Sequence, residues 1–178
     1  IGDSAMYNNA KTVSLSYTAT ENTAVGYRAM YANTEGYYNT AVGYRSLSAN
    51  TFGYYNTALG DRSLQGNTTG TRNTAVGYIS LSANSTGFNN TAVGIGTLYL
   101  NSTGSNNTAV GTETLLDNTT GTNNVAVGAG SLADNTTGSA NVAVGVGTAA
   151  KSTDKSEIIA IGDSALYNNT AGTGNMAL

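Results

Sequence analysis

The sequence predicts an all-β fold, a parallel β-solenoid (a β-roll or β-prism) in which each seventeen-residue segment forms one coil stacked on the previous one. Two observations predict it: a pentapeptide close to Asn-Thr-Ala-Val-Gly returns every seventeen residues, and several repeat positions keep one residue type throughout. A fixed period of this length is typical of solenoid proteins. The pentapeptide begins at Asn22, Asn39, Asn56, Asn73, Asn90, Asn107, Asn124 and Asn141, and its register continues through Ile158 to Asn175.

The full repeat reads approximately Asn-Thr-Ala-Val-Gly-x-x-Ser-Leu-x-x-Asn-Thr-Thr-Gly-x-x, and its positions are counted from the first Asn. It predicts a short strand on Thr-Ala-Val and a second extended run around Ser-Leu, each followed by turn-forming residues. Gly at the fifth position indicates a positive φ or a contact too close for a Cβ, and Gly at the fifteenth position turns the opposite corner. Helix is a poor alternative because Gly and Asn recur too often.

The period also predicts how the chain is organised. The step from Gly2 to Gly26 exceeds one coil by seven residues, and we place the surplus in residues 10–16. The copy that begins at Asn141 keeps its length but loses the motif over residues 149–157. The predicted segments are 1–21, a coil with an irregular seven-residue insertion; 22–174, nine regular coils; and 175–178, the start of a further coil.

The two ends of the chain resemble each other. Ile-Gly-Asp-Ser-Ala-Met-Tyr-Asn-Asn at Ile1 returns at Ile161 with Leu in place of Met. Either a higher-order repeat of 160 residues exists, or two coils are more alike than average. Because Ile1 falls inside a repeat, we expect the chain to be a piece of a longer protein.

The apolar positions predict what faces the core. The fourth and ninth positions are apolar in almost every copy, as in Val76 and Leu81, and the second holds Thr or an apolar residue. These three positions are predicted to face inward, with the near-constant Ala of the third position on the opposite, crowded face of the strand. Three apolar side chains per coil, at roughly 2 kcal/mol each, do not easily offset about 1–2 kcal/mol of ordering per residue. The sequence therefore predicts a fibrous homotrimer, in which a neighbouring chain supplies the missing burial.

Composition excludes several classes of function. The net charge is −3 with only seven Lys and Arg, which argues against nucleic acid as a partner. No apolar run is long enough for membrane insertion. The chain has no His and no Cys, so the usual zinc sites and nucleophile pairs cannot form. The sequence therefore predicts no enzyme, no catalytic residue, no metal and no cofactor.

Two other patterns have competing interpretations. Asp117 and Asp134 share a column and either bind a cation weakly or are two solvated turn residues; we favour the second interpretation. The Gly-x-Gly triplets arise from the repeat and are not a nucleotide-binding motif. Asn-x-Ser/Thr sequons also arise from the repeat, and they predict a stacked Asn ladder in preference to glycosylation. The sequons begin at Asn67, Asn84, Asn89, Asn101, Asn106, Asn118, Asn135 and Asn168.

The one asymmetric feature is a concentration of Tyr and Arg near the N-terminus. Exposed Tyr beside Arg can stack on sugar rings and bind acidic groups, so these residues are candidates for binding a surface glycan. The interpretation that we favour is structural: the rings stack on one another, shield the Arg column, or lie between protomers. The candidate site residues are Tyr27, Arg28, Tyr44, Arg45, Tyr54, Tyr55, Arg62 and Tyr78.

The repeat, best seen at residues 73–87, resembles the short repeats of tail-fibre-type proteins of bacteria and their phages. It is also similar in style to the Asn-Ser-x-Ala-Ile-Gly coils of trimeric autotransporter adhesin heads, which use fewer residues per coil. The resemblance implies a trimeric β-roll or β-prism that lies outside the cell, on the cell surface or on a virion.

Three functions remain open at this point. The first is a segment of an extracellular or virion fibre or adhesin, a rigid scaffold that recognises a surface glycan, with itself as the main partner. The second is a purely structural, self-assembling extracellular filament. The third is an ice-binding solenoid, which would use a flat Thr column such as Thr74 and Thr91. Replacement of that column by Val125 and Val142 indicates burial, so we rank ice binding last.

Overall fold

The structure is a computed structural model that describes residues 1–9 and 19–178. Ten short parallel strands, one per coil, form a single sheet in chain order, and the described residues contain no helix. The predicted parallel β-solenoid of seventeen-residue coils is confirmed. The strands are β1 Thr23–Val25, β2 Thr40–Val42, β3 Thr57–Leu59, β4 Thr74–Val76, β5 Thr91–Val93, β6 Thr108–Val110, β7 Val125–Val127, β8 Val142–Val144, β9 Ile159–Ile161 and β10 Met176–Ala177.

Stacking is in register around the whole coil and extends beyond the strands. Ala75 pairs with Ala92, its equivalent in the next coil. Outside the strand, the Leu81 amide donates to the Thr97 carbonyl at 3.0 Å, and the Ser85 amide donates to the Ser102 carbonyl at 2.9 Å. Each coil therefore satisfies its backbone groups on its neighbours, and equivalent residues form continuous columns.

The strand directs its third-position Ala side chain inward and its second- and fourth-position side chains outward, which is the reverse of the prediction. Ala75 is fully buried, whereas Val42 and Val76 are partly buried and the other fourth-position residues of β1–β9 are exposed, from 36% at Val93 to 47% at Leu59. The prediction that the Thr and Val columns face inward was wrong, because the coil is narrow. Leu and Asn side chains from the opposite wall fill its interior and leave room for one methyl group at the third position.

The interior consists of small and amide side chains around one column of leucines. Leu81 is fully buried, as predicted, and so are its equivalents from Met30 to Leu132. Ser or Thr at the eighth position and Asn at the first and twelfth positions are buried beside them. The core is therefore partly polar, and its amides require internal hydrogen-bond partners.

The predicted second extended run around Ser-Leu is a turn. Leu81 has a φ of 49°, and the residue two positions earlier, Ile79, has a φ of 51°. Left-handed backbone at both positions recurs in every regular coil and curls the chain back toward the strand. This also explains the Gly-x-Gly triplets, since Gly96 occupies the left-handed seventh position with a φ of 63°.

Both glycine positions of the repeat are required by geometry. Gly77 has a φ of 130°, and a Cβ there would lie 2.4 Å from the Gly94 carbonyl oxygen of the next coil. Gly70 has no unusual φ, yet its Cβ would lie 2.3 Å from Asn67 Oδ1 and 2.4 Å from the Gly87 carbonyl oxygen. At the fifth position, the predicted positive φ and the predicted close contact are both confirmed. At the fifteenth position, only the close contact excludes a Cβ.

Two Asn ladders close the coil at the fifteenth-position Gly. At the twelfth position, Asn84 Nδ2 donates to Asn67 Oδ1 at 2.8 Å and to the Gly87 carbonyl at 3.1 Å. At the first position, Asn73 Nδ2 donates to the same Gly87 carbonyl at 2.8 Å, and Asn73 Oδ1 accepts from the Asn90 amide at 3.0 Å. The predicted Asn ladder is confirmed at the twelfth position, where the sequon side chains are buried.

The N-terminal coil rests on the regular stack with a longer offset. Asn33 Nδ2 donates to Asn9 Oδ1 at 2.7 Å across 24 residues, and the Met6 amide donates to the Ala29 carbonyl at 3.0 Å. An offset of 24 is one coil plus seven residues. The predicted location of the surplus, residues 10–16, lies outside the described residues.

Candidate functional site

The candidate Tyr and Arg residues form two clusters on different corners of the coil. Tyr27, Tyr44 and Tyr78 occupy the sixth position, after the strand, and the Arg column occupies the seventh. Tyr54 and Tyr55 occupy the sixteenth and seventeenth positions, before the strand. Among the described residues, no ring stacking or cation–π contact joins the two clusters. The structure therefore does not bring all eight predicted residues into one site.

The first cluster is a stack of rings with guanidinium groups over their faces. Tyr27 and Tyr44 stack with ring centroids 5.3 Å apart and planes 11° apart. The Arg28 guanidinium carbon lies 5.4 Å from the Tyr27 centroid, and that of Arg45 lies 5.4 Å from the Tyr44 centroid. The rings therefore hold the guanidinium groups in place by cation–π attraction.

Asp61 interrupts this stack. It takes the place of a Tyr in the sixth column and lies 3.8 Å from Arg62 Nε. Arg62 also lies 5.7 Å from the Tyr44 centroid and donates a long hydrogen bond, 3.5 Å, to the Tyr78 hydroxyl. Arg62 therefore connects Tyr44 to Tyr78 across the interruption.

The second cluster is a group of four tyrosines, which we call the Tyr tetrad: Tyr37, Tyr38, Tyr54 and Tyr55. Tyr37 stacks on Tyr54 at 4.9 Å and Tyr38 stacks on Tyr55 at 5.1 Å, while neighbours within a coil meet edge to face. Arg72 lies 5.7 Å from the Tyr54 centroid. Stacking of this kind stabilises the exposed corner of the coil, as the structural alternative describes.

The first cluster borders a shallow depression of about 250 Å³. Arg28 and Arg45 line it together with Ala49 and with three larger or polar side chains that the sequence analysis missed: Tyr31, Ser48 and Gln65. All three occupy the tenth position. Tyr31 stacks on Tyr7 at 5.3 Å, and the column then continues with the smaller Ser48 and Gln65. We call this feature the Arg28/Arg45 depression; the end of the tenth-position aromatic column is the signal that could have found it.

The Arg28/Arg45 depression is electropositive. The described residues place no carboxylate within ion-pair distance of Arg28 or Arg45; their ion pairs join Arg62 to Asp61 and two lysines to aspartates farther along. Arg28 Nε is buried and has no hydrogen-bond partner among the described residues. Two guanidinium groups on adjacent coils thus have no ion-pair partner among the described residues.

The acidic column of Asp117 and Asp134 ends in a lysine. Lys151 follows Asp117 and Asp134 in the same column and donates to Asp134 Oδ2 at 2.8 Å. That hydrogen bond raises the pKa of Lys151 above its usual range. Within residues 1–9 and 19–178, no group of three or more His, Cys, Asp or Glu side chains is arranged to hold a metal ion.

A second candidate surface is the outer face of the sheet, which we call the Thr/Val face. It consists of the second and fourth positions of every coil and carries no charged side chain. Its Thr column is exposed or partly exposed at Thr57, Thr74 and Thr108, and its Val column includes Val110 at 37% exposure. The described part of the chain contains no helix long and apolar enough to cross a bilayer.

Comparisons with protein-family models, with characterised proteins and with solved structures give no match. The likeness to tail-fibre and adhesin repeats therefore remains a resemblance in sequence.

Proposed function

We propose that this chain is a rigid, non-catalytic segment of an extracellular or virion fibre or adhesin. Its coils assemble with copies of the same chain, as a homotrimer, through the Thr/Val face, and its Tyr/Arg end binds a surface glycan. The observation that carries the proposal is the uncharged stripe of outward Thr and aliphatic side chains at the second and fourth positions, in which the fourth position is aliphatic in every coil.

The Thr/Val face is unusual for a surface that faces only water. A contiguous apolar patch of this extent marks an interaction site in most soluble proteins. Seven of the nine fourth-position residues of β1–β9 still expose more than a third of their area, so covering each contributes about 0.5–1 kcal/mol. Summed over these seven coils, that burial favours association by several kcal/mol.

A second copy of the chain is the occupant that fits this face. The stripe is uncharged along the whole rod, whereas all Arg residues and ten of the twelve Tyr residues lie in the N-terminal half. A partner that matches a straight, uncharged, regularly spaced stripe along its full length is most simply another solenoid with the same spacing. The resemblance to trimeric fibre repeats supports three copies around a common axis.

Introduced cysteines test this arrangement, because the chain has none of its own. In Val110→Cys the thiol lies on the Thr/Val face, so mild oxidation should cross-link two copies into a covalent dimer. The matched control is Thr103→Cys, which is also exposed but lies at the fourteenth position, away from this face. Equal cross-linking of both variants would count against the proposal, and so would none for Val110→Cys.

Ice binding is the second candidate, and one observation favours it. The Thr column faces outward on a flat, in-register sheet, so the argument from burial that ranked this function last no longer holds. Ice binding needs the face uncovered, whereas assembly covers it. Thermal hysteresis in a solution where the chain is monomeric would favour ice binding; its absence there would remove that candidate.

A further inference from the structure

The geometry points to an anionic-sugar site in the Arg28/Arg45 depression: we propose that it binds a sugar ring that carries a carboxylate or sulfate group. This inference rests on the proposed glycan recognition and names the chemical class of the ligand. It also narrows the site to one of the two aromatic clusters.

The first argument is that the guanidinium groups of Arg28 and Arg45 have no ion-pair partner among the described residues. Arg28 and Arg45 occupy the same position of adjacent coils, so their backbones lie about 4.8 Å apart. Cation–π contacts hold the Arg28 guanidinium on the Tyr27 and Tyr31 rings, with the shorter distance of 5.1 Å to Tyr31, and hold the Arg45 guanidinium on the Tyr44 ring. No described carboxylate pairs with either group. A bound anion would bridge the two charges and remove their mutual repulsion.

The shape of the depression is the second step. The Tyr31 ring forms one wall, and the smaller Ser48 and Gln65 leave space where the next two rings of that column would stand. The volume of about 250 Å³ is less than that of an ordinary small-molecule pocket, and the depression is open. It therefore suits one residue of an extended chain better than an enclosed ligand.

The lining chemistry is the third step. Guanidinium groups bind carboxylate and sulfate oxygens through paired N–H donors. An aromatic face packs against the apolar face of a sugar ring. The Ser48 hydroxyl and the Gln65 amide can donate to or accept from sugar hydroxyls. Together these groups match an acidic sugar better than a neutral one.

The Tyr tetrad does not have this combination. Arg72 is its only cation–π partner among the described residues, and Tyr54, the ring that Arg72 covers, is stacked on Tyr37. Of the eight predicted residues, only Arg28 and Arg45 line the depression. Tyr27 and Tyr44 hold these two guanidinium groups, whereas Tyr54 and Tyr55 contact neither.

Binding of defined oligosaccharides to the purified chain tests the inference. The probes are a galacturonic acid hexasaccharide, a sulfated galactose hexasaccharide, the uncharged galactose hexasaccharide and a poly-aspartate peptide, each titrated by calorimetry. We expect at least one acidic sugar to bind at least tenfold more tightly than the neutral sugar and the peptide, with an affinity that falls as salt rises.

Three variants locate the site. The double variant Arg28→Gln/Arg45→Gln should lose at least tenfold in affinity, whereas Arg72→Gln, which removes one guanidinium charge at the Tyr tetrad, should change it less than twofold. Ser48→Tyr should abolish binding, because it extends the Tyr7 and Tyr31 stack into the depression while the coils stay folded. Circular dichroism of each variant confirms that the solenoid is intact.

The outcomes separate the inference from the proposed function. Equal binding of neutral and acidic sugars, or full affinity in the Arg28→Gln/Arg45→Gln variant, overturns the anionic site and leaves glycan recognition standing. Equal binding of poly-aspartate overturns the sugar class. No binding of any oligosaccharide overturns both the inference and glycan recognition, and leaves the fibre scaffold alone.

Discussion

The regular coils and the coil of residues 141–157 have the same backbone and different interiors. In a regular coil, Leu, two Asn and Gly occupy the ninth, twelfth, first and fifteenth positions. In the irregular coil and at the residue that follows it, these positions hold Ala149, Ser152, Ile158 and Lys155. The strands nevertheless stay in register, with Val142 opposite Ile159. Backbone stacking therefore sets the shape of the coil, and the side-chain ladders only need to fit inside it.

The irregular coil replaces the missing Leu side chain and the missing Gly carbonyl with groups from other residues. Leu is lost at Ala149 and an apolar side chain is gained nine residues later at Ile158, and both are fully buried in the same cluster. The Lys155 carbonyl replaces that of Gly and still accepts from Asn141 Nδ2 at 2.8 Å. The irregular coil thus keeps an apolar side chain in the core and keeps the hydrogen bond from the first-position Asn side chain to the fifteenth-position carbonyl.

The twelfth-position ladder is not retained. Ser152 is too short to span the gap between its two neighbours, so Asn135 Oδ1 and Asn169 Nδ2 are left without partners, as is its own hydroxyl. These are three of the four buried polar atoms without a partner in the described residues. A buried donor or acceptor without a hydrogen-bond partner costs about 1–3 kcal/mol, so this coil should be the least stable of the stack.

Leu81→Asp should have the largest effect. It places an unpaired charge in the fully buried column of a regular coil, which should cost more than about 4 kcal/mol and abolish the cooperative melting transition. Ala83→Asp is the control, because Ala83 is exposed two residues away, in the column where the chain itself carries Asp117 and Asp134. If Leu81→Asp melts like the wild type, the ninth column is not the core.

Asn101→Ser should reproduce the defect of the irregular coil in a regular one. It removes the donor to Asn84 Oδ1 and the acceptor of Asn118 Nδ2, so we expect a loss of about 2–4 kcal/mol in chemical denaturation. Asn89→Ser is the control, since it removes an amide pair of the same kind that is exposed to water. Equal losses in both variants would show that burial of the ladder does not matter.

Ser152→Asn should have the reverse and smaller effect. The new amide would donate to Asn135 Oδ1 and accept from Asn169 Nδ2, as at every regular coil, which should stabilise the fold by about 1–2 kcal/mol. Amide hydrogen exchange should slow most in residues 135–169. Destabilisation, or protection gained elsewhere, would mean that Lys155 or Ile158 has closed the space for an amide.

Much of the fold could be predicted from the sequence because the repeat constrains it many times over. The period, the left-handed glycines such as Gly77, the Leu81 column and the Asn ladder follow from residue chemistry repeated in every coil. The direction of the strand could not be settled by alternation, since Thr-Ala-Val fits a strand facing either way. The informative signal was constancy: Ala occupies the third position in all ten copies, while Thr, Val, Ile and Met exchange at the second.

The candidate site was harder to predict for a different reason. Sequence proximity grouped Tyr44 with Tyr55, yet the coil places them on different corners. It also missed Ser48 and Gln65, because a depression is defined by small side chains beside large ones. Columns separated by seventeen residues, compared position by position, would have revealed where the tenth-position rings end.

The mass of the assembly in solution tests the central claim most directly, that the outward Thr/Val face joins copies of this chain. Light scattering should give three times the 18.0 kDa of one chain for the wild type. It should give a single chain for Val110→Glu, with an unchanged circular dichroism spectrum, because a charge on the face prevents its burial. A monomeric wild type, or a Val110→Glu variant that keeps the trimer mass, would contradict the account.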